Sequence, residues 1–264
     1  MKYIRRTSHD IKDDFLIELL KDRGVLPNEE DKRRDFFYPS FEKNLLSPLN
    51  LDHMKEGAEL LISHLEKGCR IYLIVDSDCD GYGSAAMFYN YLTEHLSDRY
   101  DFTIEYHIPT GKEHGLRTIM DVFEGEKKWD LVVLPDSSSN DYEEHKQLKE
   151  MGMDVLILDH HSADSYSEDA IVINNQLSEQ YENKELSGVG VVYKFICYLD
   201  ELFGINYAND YLDLAAFSEI SDMMKMNTIE NRLICDYGLS HIKNQFLKEL
   251  IEKQSYSLGD GPLT

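Results

Sequence analysis

Three apolar runs in this chain end in acid. Ile71-Tyr72-Leu73-Ile74-Val75 leads directly into Asp76-Ser77-Asp78-Cys79-Asp80-Gly81, where carboxylates alternate. The run over 130–135 ends at Asp136, and Val155-Leu156-Ile157-Leu158 ends in Asp159-His160-His161. One aspartate after a strand is usually a turn former or a helix cap. Three such ends with two histidines among them describe a shared cation site at the carboxyl edge of a parallel sheet, where open α/β folds hold ligands. Asp222, after Ala215-Ala216-Phe217-Ser218-Glu219-Ile220-Ser221, offers one more carboxylate, with Glu219 as its local competitor.

Carboxylate oxygens suit hard divalent cations, and manganese also accepts imidazole. The donor set therefore fits Mn²⁺ or Mg²⁺, and six or more donors fit two ions better than one. Such a pair, about 3.5–4 Å apart, activates water and stabilises the leaving oxygen of an in-line displacement at phosphorus. The expected reaction is hydrolysis of a phosphoester or phosphoanhydride. A thiolate zinc site is not expected: Cys69, Cys79, Cys197 and Cys235 lie far apart without zinc spacing. Cys79, inside the acidic stretch, reads as a packing residue.

The elements that must position these residues follow from periodicity and breakers. Helices are expected over 10–24, 52–67 and 81–96, the first two ended by Gly24 and Gly68. Residues 25–51, with Pro27, Pro39 and Pro48, read as irregular. Strands are expected over 69–75, 102–108, 130–135, 154–158 and 170–173, with a polar helix over 141–151. The rest reads as helices over 188–203, 207–224 and 229–254, and a tail over 255–264. Alternating strands and helices give an α/β fold: a five-stranded, mainly parallel sheet with helices on both faces, followed by a helical segment.

The 264 residues carry a net charge of −23, which argues against duplex binding driven by phosphate neutralisation. Lys32-Arg33-Arg34 reads equally as a local phosphate contact or a solvated helix face. The basic start, Met1 to Arg6, is not followed by a signal-peptide apolar stretch, and no run is long enough to span a membrane. A soluble, cytoplasmic protein with no membrane partner is the expectation.

Taken in order, Asp76 to Gly81, Asp136, Asp159-His160-His161 and Asp222 resemble the four motifs of the DHH phosphoesterase superfamily. Within it the chain is similar to the RecJ-type exonucleases, which degrade single-stranded DNA from the 5′ end. Arg23-Gly24-Val25, Leu46-Ser47-Pro48, Ile108-Pro109, His114-Gly115-Leu116, Asn174, Leu186-Ser187-Gly188-Val189-Gly190, Glu230-Asn231-Arg232 and Tyr237-Gly238-Leu239 extend the likeness over about residues 15–245. The resemblance implies an amino-terminal lead-in over 1–51 packed on a DHH domain over 52–254. It implies metal ligands Asp76, Asp78, Asp80, Asp136, His160 and Asp222, with Asp136 bridging two ions. His161 is expected at the scissile phosphate or in proton transfer, and Asp159 behind the histidines. Ser187, Gly188, Gly190, His114, Lys112 and Arg232 are expected at the substrate, with Asn231 a further phosphate contact. The glycines serve equally well as packing devices, and Arg232 as a structural ion pair.

The chain also departs from the family pattern. The loop arginine is missing, with Thr110-Gly111-Lys112 in its place. Ser137-Ser138-Ser139 replaces a glycine after Asp136, and Phe217-Ser218 replaces a Gly-Thr pair. The carboxy-terminal domains typical of the family are absent from these residues. Three readings stay open: an exonuclease core on single-stranded DNA, a phosphodiesterase for short oligonucleotides or cyclic dinucleotides, and a non-catalytic scaffold in a replication complex. Additional domains or protein partners are compatible with each.

Overall fold

The computed structural model describes residues 15–26, 29–111, 114–125 and 128–258. Five strands, β1 (Cys69–Ile74), β2 (Phe102–His107), β3 (Leu131–Pro135), β4 (Asp154–Asp159) and β5 (Ile171–Asn174), form one sheet in the order β2-β1-β3-β4-β5. Every pairing is parallel, so the sheet is wholly parallel. After β1 the chain turns to one side to form β2. It then crosses back to lay β3 along the other side of β1. The crevice of a doubly wound sheet opens at such a reversal, and here Asp76 and Asp136 leave adjacent strands there.

Helices α1 (Phe15–Asp22), α2 (Glu30–Phe37), α3 (Phe41–Asn44) and α4 (Met54–Lys67) precede β1. Between strands run α5 (Cys79–His95) and α6 (Tyr142–Glu150). After β5 come α7 (Gly188–Phe203), α8 (Leu212–Ser221), α9 (Ile229–Ser240) and α10 (Gln245–Leu258). Side chains alternate across a strand, and the two faces of the sheet have separate cores. Ile71, Leu73, Val133, Leu156 and Ile173 pack beneath α4, α5 and α7. Tyr72, Ile74, Val132, Ile157 and Val172 pack beneath Leu148 of α6 and the turns carrying Leu116, Ile119 and Phe123. Both faces of the central strands are buried, which explains their unbroken apolar runs.

Three details differ from the sequence expectation. Residues 25–51 are not wholly irregular, because α2 and α3 form between the prolines, with Phe36 buried. The helix expected over 207–224 begins as a 3₁₀ turn, Ala208–Tyr211, before α8. The helix expected over 229–254 breaks at 241–244, where Asp213 Oδ2 accepts the Lys243 and Asn244 amides at 2.7 and 2.6 Å. Helix α10 runs on to Leu258; residues 259–264 of the expected tail, and 1–14 of the lead-in, lie outside the described residues.

The lead-in is tied to the carboxy-terminal helices by a buried polar network. Lys194 of α7 is fully buried, donates to Glu230 Oε1 at 2.9 Å and also donates to the Leu46 carbonyl. Glu230 accepts from the Leu46 amide at 3.0 Å, Tyr181 Oη at 2.8 Å and Asn183 Nδ2 at 3.0 Å. Every partner is satisfied, which a charge in this surrounding requires.

Candidate metal centre

Each strand end contributes its acid for a local reason. Asp78 caps α5, its Oδ1 accepting the Gly81 amide at 2.9 Å. Gly81 lets that turn close, since a Cβ there would lie 2.5 Å from Asp76 Cβ. Asp80 points inward from the first turn and takes the amides of Gly188 and Val189 on its two oxygens at 2.7 and 2.9 Å. Asp136 follows β3 with φ +69°, a left-handed conformation that asparagine and aspartate tolerate better than most residues.

The side chains converge in three overlapping groups, each with ligand atoms within 4.8 Å of one another: Asp76, Asp78 and Asp136; Asp136, His160 and His161; Asp80, His160 and Asp222. Asp136 and His160 each belong to two of these groups. His160 Nε2 lies 3.2 Å from Asp136 Oδ1, 3.5 Å from Asp80 Oδ2 and 3.7 Å from Asp222 Oδ2. Asp76, Asp80 and Asp136 are buried, whereas Asp78 and Asp222 open to solvent.

Asp136 carries the test of whether a cation fits. Its side chain is fully buried, and neither oxygen has a hydrogen-bond partner. Burial, reinforced by Asp80, Asp159, Asp78 and Asp76, holds its carboxyl well above the ordinary range. Burial also raises Asp80 and Asp76, against the opposing pull of His160 and His114 respectively. Buried carboxylates are normally paired or bound to metal, and this all-oxygen and imidazole set suits Mn²⁺ or Mg²⁺.

Gly188 leaves room for Asp136, since a Cβ there would lie 2.2 Å from Asp136 Oδ1.

The second histidine belongs to one of these groups but turns its Nδ1 to Asp159. Asp159 Oδ1 accepts the His160 and His161 amides at 2.7 and 3.1 Å, and lies 2.8 Å from His161 Nδ1. The hydrogen bond to Asp159 raises the His161 imidazole to about 9. Burial disfavours the Asp159 charge, but its bonds to His161 and Ser139 outweigh that, and the carboxyl sits below its ordinary range. Ser139 donates its amide to Asp159 Oδ2 at 3.2 Å. Asn174, at the end of β5, donates Nδ2 to the His161 carbonyl and to Ser139 Oγ, both at 2.9 Å. Sequence reasoning placed Asn174 in a familiar segment but gave it no role. Its position after the last strand, beside the strand carrying the histidines, was the available signal.

The structure gives several expected substrate contacts other partners. The Gly188 and Val189 amides are occupied by Asp80, so they present no free donors to a phosphate. Ser187 is buried, its amide on Glu219 Oε1 at 2.9 Å and its Oγ accepting the Gly190 amide at 3.1 Å. Glu219 is buried, with Oε1 on the Ser187 amide and no hydrogen bond on Oε2. Arg232 stacks on Phe36 and donates Nε to the Phe36 carbonyl at 2.7 Å, fastening α2. Asn231 is buried between Asn183 and the Glu185 carbonyl. Cys79 is exposed rather than packed. Lys32 faces solvent beside Glu29 at 3.5 Å. Lys112 lies outside the described residues.

His114 does join the site. Its Nδ1 lies 2.9 Å from both Asp76 oxygens, and its ring sits 5.5 Å from that of His161. Gly115 (φ +68°) turns the chain there, and the Leu116 amide reaches Ser138 Oγ and Asp141 Oδ2, each at 3.0 Å. Ser138 itself holds φ +77°. Of the serines that replace a family glycine, Ser138 docks this loop and Ser139 braces Asp159.

A wholly parallel, doubly wound sheet with a carboxylate–histidine cluster at its switch point is the arrangement in which open α/β folds hold a ligand. The sequence profile described as DHH family, N-terminal domain, matches residues 70–218, and the chain belongs to that family. It is 35% identical over 257 residues to a prophage-derived single-strand DNA-specific exonuclease, YorK, of Bacillus subtilis, described as putative in name, covering 97% of this chain and 42% of that protein. It is 32% identical over 255 residues to the single-stranded-DNA-specific exonuclease RecJ of the same organism, covering 93% of this chain and 30% of the relative. A crystal structure of exonuclease RecJ bound to manganese superposes with a TM-score of 0.68 at 26% identity, over 81% of this chain and 55% of that one. The chain thus spans less than half the length of these two curated relatives. No helix among the described residues is long and apolar enough to cross a membrane.

Proposed function

We propose that this chain is the catalytic unit of a metal-dependent exonuclease that removes nucleotides from the 5′ end of single-stranded DNA. The observation that carries it is Asp136, a buried carboxylate with no hydrogen bond on either oxygen, shared by two groups of ligands. The relatives named as single-strand DNA exonucleases support the substrate, and the manganese-bound RecJ structure supports the ion.

Asp76, Asp78, Asp80, Asp136, His160 and Asp222 would hold Mn²⁺ or Mg²⁺, Asp136 and His160 each belonging to two of the donor groups. Bound there, the ions would activate water and neutralise charge at the leaving oxygen. The chain's own residues do the rest. Asp159 fixes the His161 ring through Nδ1, leaving Nε2 to donate to a phosphate oxygen or to the departing 3′ oxygen. Asn174 and Ser139 hold that pair in place, as outer partners of metal-site histidines do. His114 aligns Asp76. Residues 52–254 form the DHH domain, and the preceding segment is its lead-in. The setting we infer is cytoplasmic DNA repair or recombination.

The acidity of the chain favours one alternative, a phosphodiesterase acting on short oligonucleotides. Mn²⁺-dependent nucleotide release from 5′-labelled and 3′-labelled single strands, beside a dinucleotide, separates the two, with Asp136→Ala as blank. Release from the 5′ end that is lost in the variant is the expected result. Cleavage of the dinucleotide alone would move the protein to the small-substrate reading.

A further inference from the structure

One cavity takes no part in the reading above. It has a volume of 260 Å³ and lies on the α5 face at the open edge of the sheet. Its wall on α5 is a single stripe: Tyr82, Ala85, Ala86, Tyr89 and Asn90, spaced as neighbours on one helical face. The two alanines in mid-stripe leave the gap, and the tyrosines bound it. Tyr106 of β2 stands opposite, edge-on to Tyr89 at 5.7 Å between ring centres. Tyr82 and Tyr106 are 46% and 53% exposed, large aromatic surfaces that the fold does not use.

The place of the cavity is as informative as its lining. Val75, on its floor, is the residue before Asp76. Tyr82 stands in the first turns of α5, just past Asp78 and Asp80. The cavity and the metal centre therefore share the end of β1 and the start of α5.

Size and charge narrow the occupant. The volume falls below the roughly 300–1,000 Å³ of sites for drug-sized ligands, which suits one planar ring system. A chain with 27 Lys and Arg against 50 Asp and Glu has no net attraction for phosphates. Stacking, which aromatic side chains give to any base, is the hold on a single strand that such a surface leaves unopposed.

We infer that this cavity receives a nucleobase of the single strand whose phosphate occupies the metal centre, an inference that rests on the exonuclease reading. Tyr82 and Tyr106 supply stacking surface, and Asn90 supplies an amide to the edge of the base.

The test uses the full chain and single strands carrying 2-aminopurine at successive positions from the 5′ end, with Ca²⁺ replacing Mn²⁺ during binding. Quenching confined to one position near that end is expected. Ala86→Leu, which fills the cavity, and Tyr106→Ala, which removes a wall, should each abolish that quenching. Each should also weaken binding about fivefold to a hundredfold, the range of one base–aromatic stack. Equal quenching at every position would overturn the cavity assignment and leave the exonuclease reading intact. So would an Ala86→Leu chain that melts like the parent and binds like it. Failure of the parent chain to bind or cut single strands at all would overturn the reading and the inference together.

Discussion

Asp136 combines a left-handed backbone, full burial and two oxygens without a hydrogen bond. Each is a cost to the folded chain, and together they mark a residue kept for its ligand rather than for stability. Asp136→Asn should therefore raise the melting temperature of the metal-free protein, by the equivalent of about 1–3 kcal/mol, while erasing the stabilisation that Mn²⁺ gives the parent. Calorimetry with and without Mn²⁺ reads both effects; a less stable metal-free variant would refute the account. Gly188→Ala pushes a methyl against Asp136 Oδ1. We expect it to lower Mn²⁺ affinity at least about tenfold, measured by titration calorimetry, with the fold retained.

The Asp159–His161 pair gives a pH signature at the same scale. The folded His161 value, about 9, is above its ordinary 6.5, so its contribution is complete below 6.5 and disappears as pH rises through 9. Asp159 is lowered, so its contribution is present above 3.8 and is lost on acidification below that. In chelator, the parent should out-melt His161→Gln between those limits and converge with it above pH 9. A constant gap at every pH would show that the pair contributes no charge-dependent stability.

Among the elements, the sheet was legible because each central strand is buried on both faces and its apolar run is continuous. The acids at the strand ends were legible for the same reason: they interrupt those runs. What could not be read were interactions between distant segments. The break before α10 depends on Asp213 standing in for a helical carbonyl partner of other amides. In sequence the amino end of α7 read equally as a phosphate cradle or a packing device; Asp80, from a distant helix, fills it. Lys194 sits in an otherwise apolar stretch, and only Glu230 explains it. Glu230→Gln removes one charge of that buried pair and should cost about 3–5 kcal/mol in urea unfolding. Turnover per folded molecule should stay near the parent's, since the pair lies outside the centre. A neutral substitution would mean that the network is dispensable.

At the scale of the whole molecule, charge is the dominant property. Binding driven by phosphate contacts weakens steeply with salt, with a slope of about −0.7 per contact on single strands. For this chain we expect a slope shallower than about −2 between 50 and 200 mM salt, read by anisotropy of a labelled oligonucleotide. A steep slope would show that local basic patches, not stacking, hold the strand.

The order of the strands also bears on how the protein is made. The candidate ligands begin at Asp76 and are complete only at Asp222, on the far side of every strand in the sheet. A chain emerging from the ribosome passes through β1, β3 and β4 with its acids exposed but unassembled. It offers metal no full set of donors until α8 has been synthesised and packed. On the proposed reading, a chain that stops short of Asp222 lacks one of the three donor groups and is expected to be inactive.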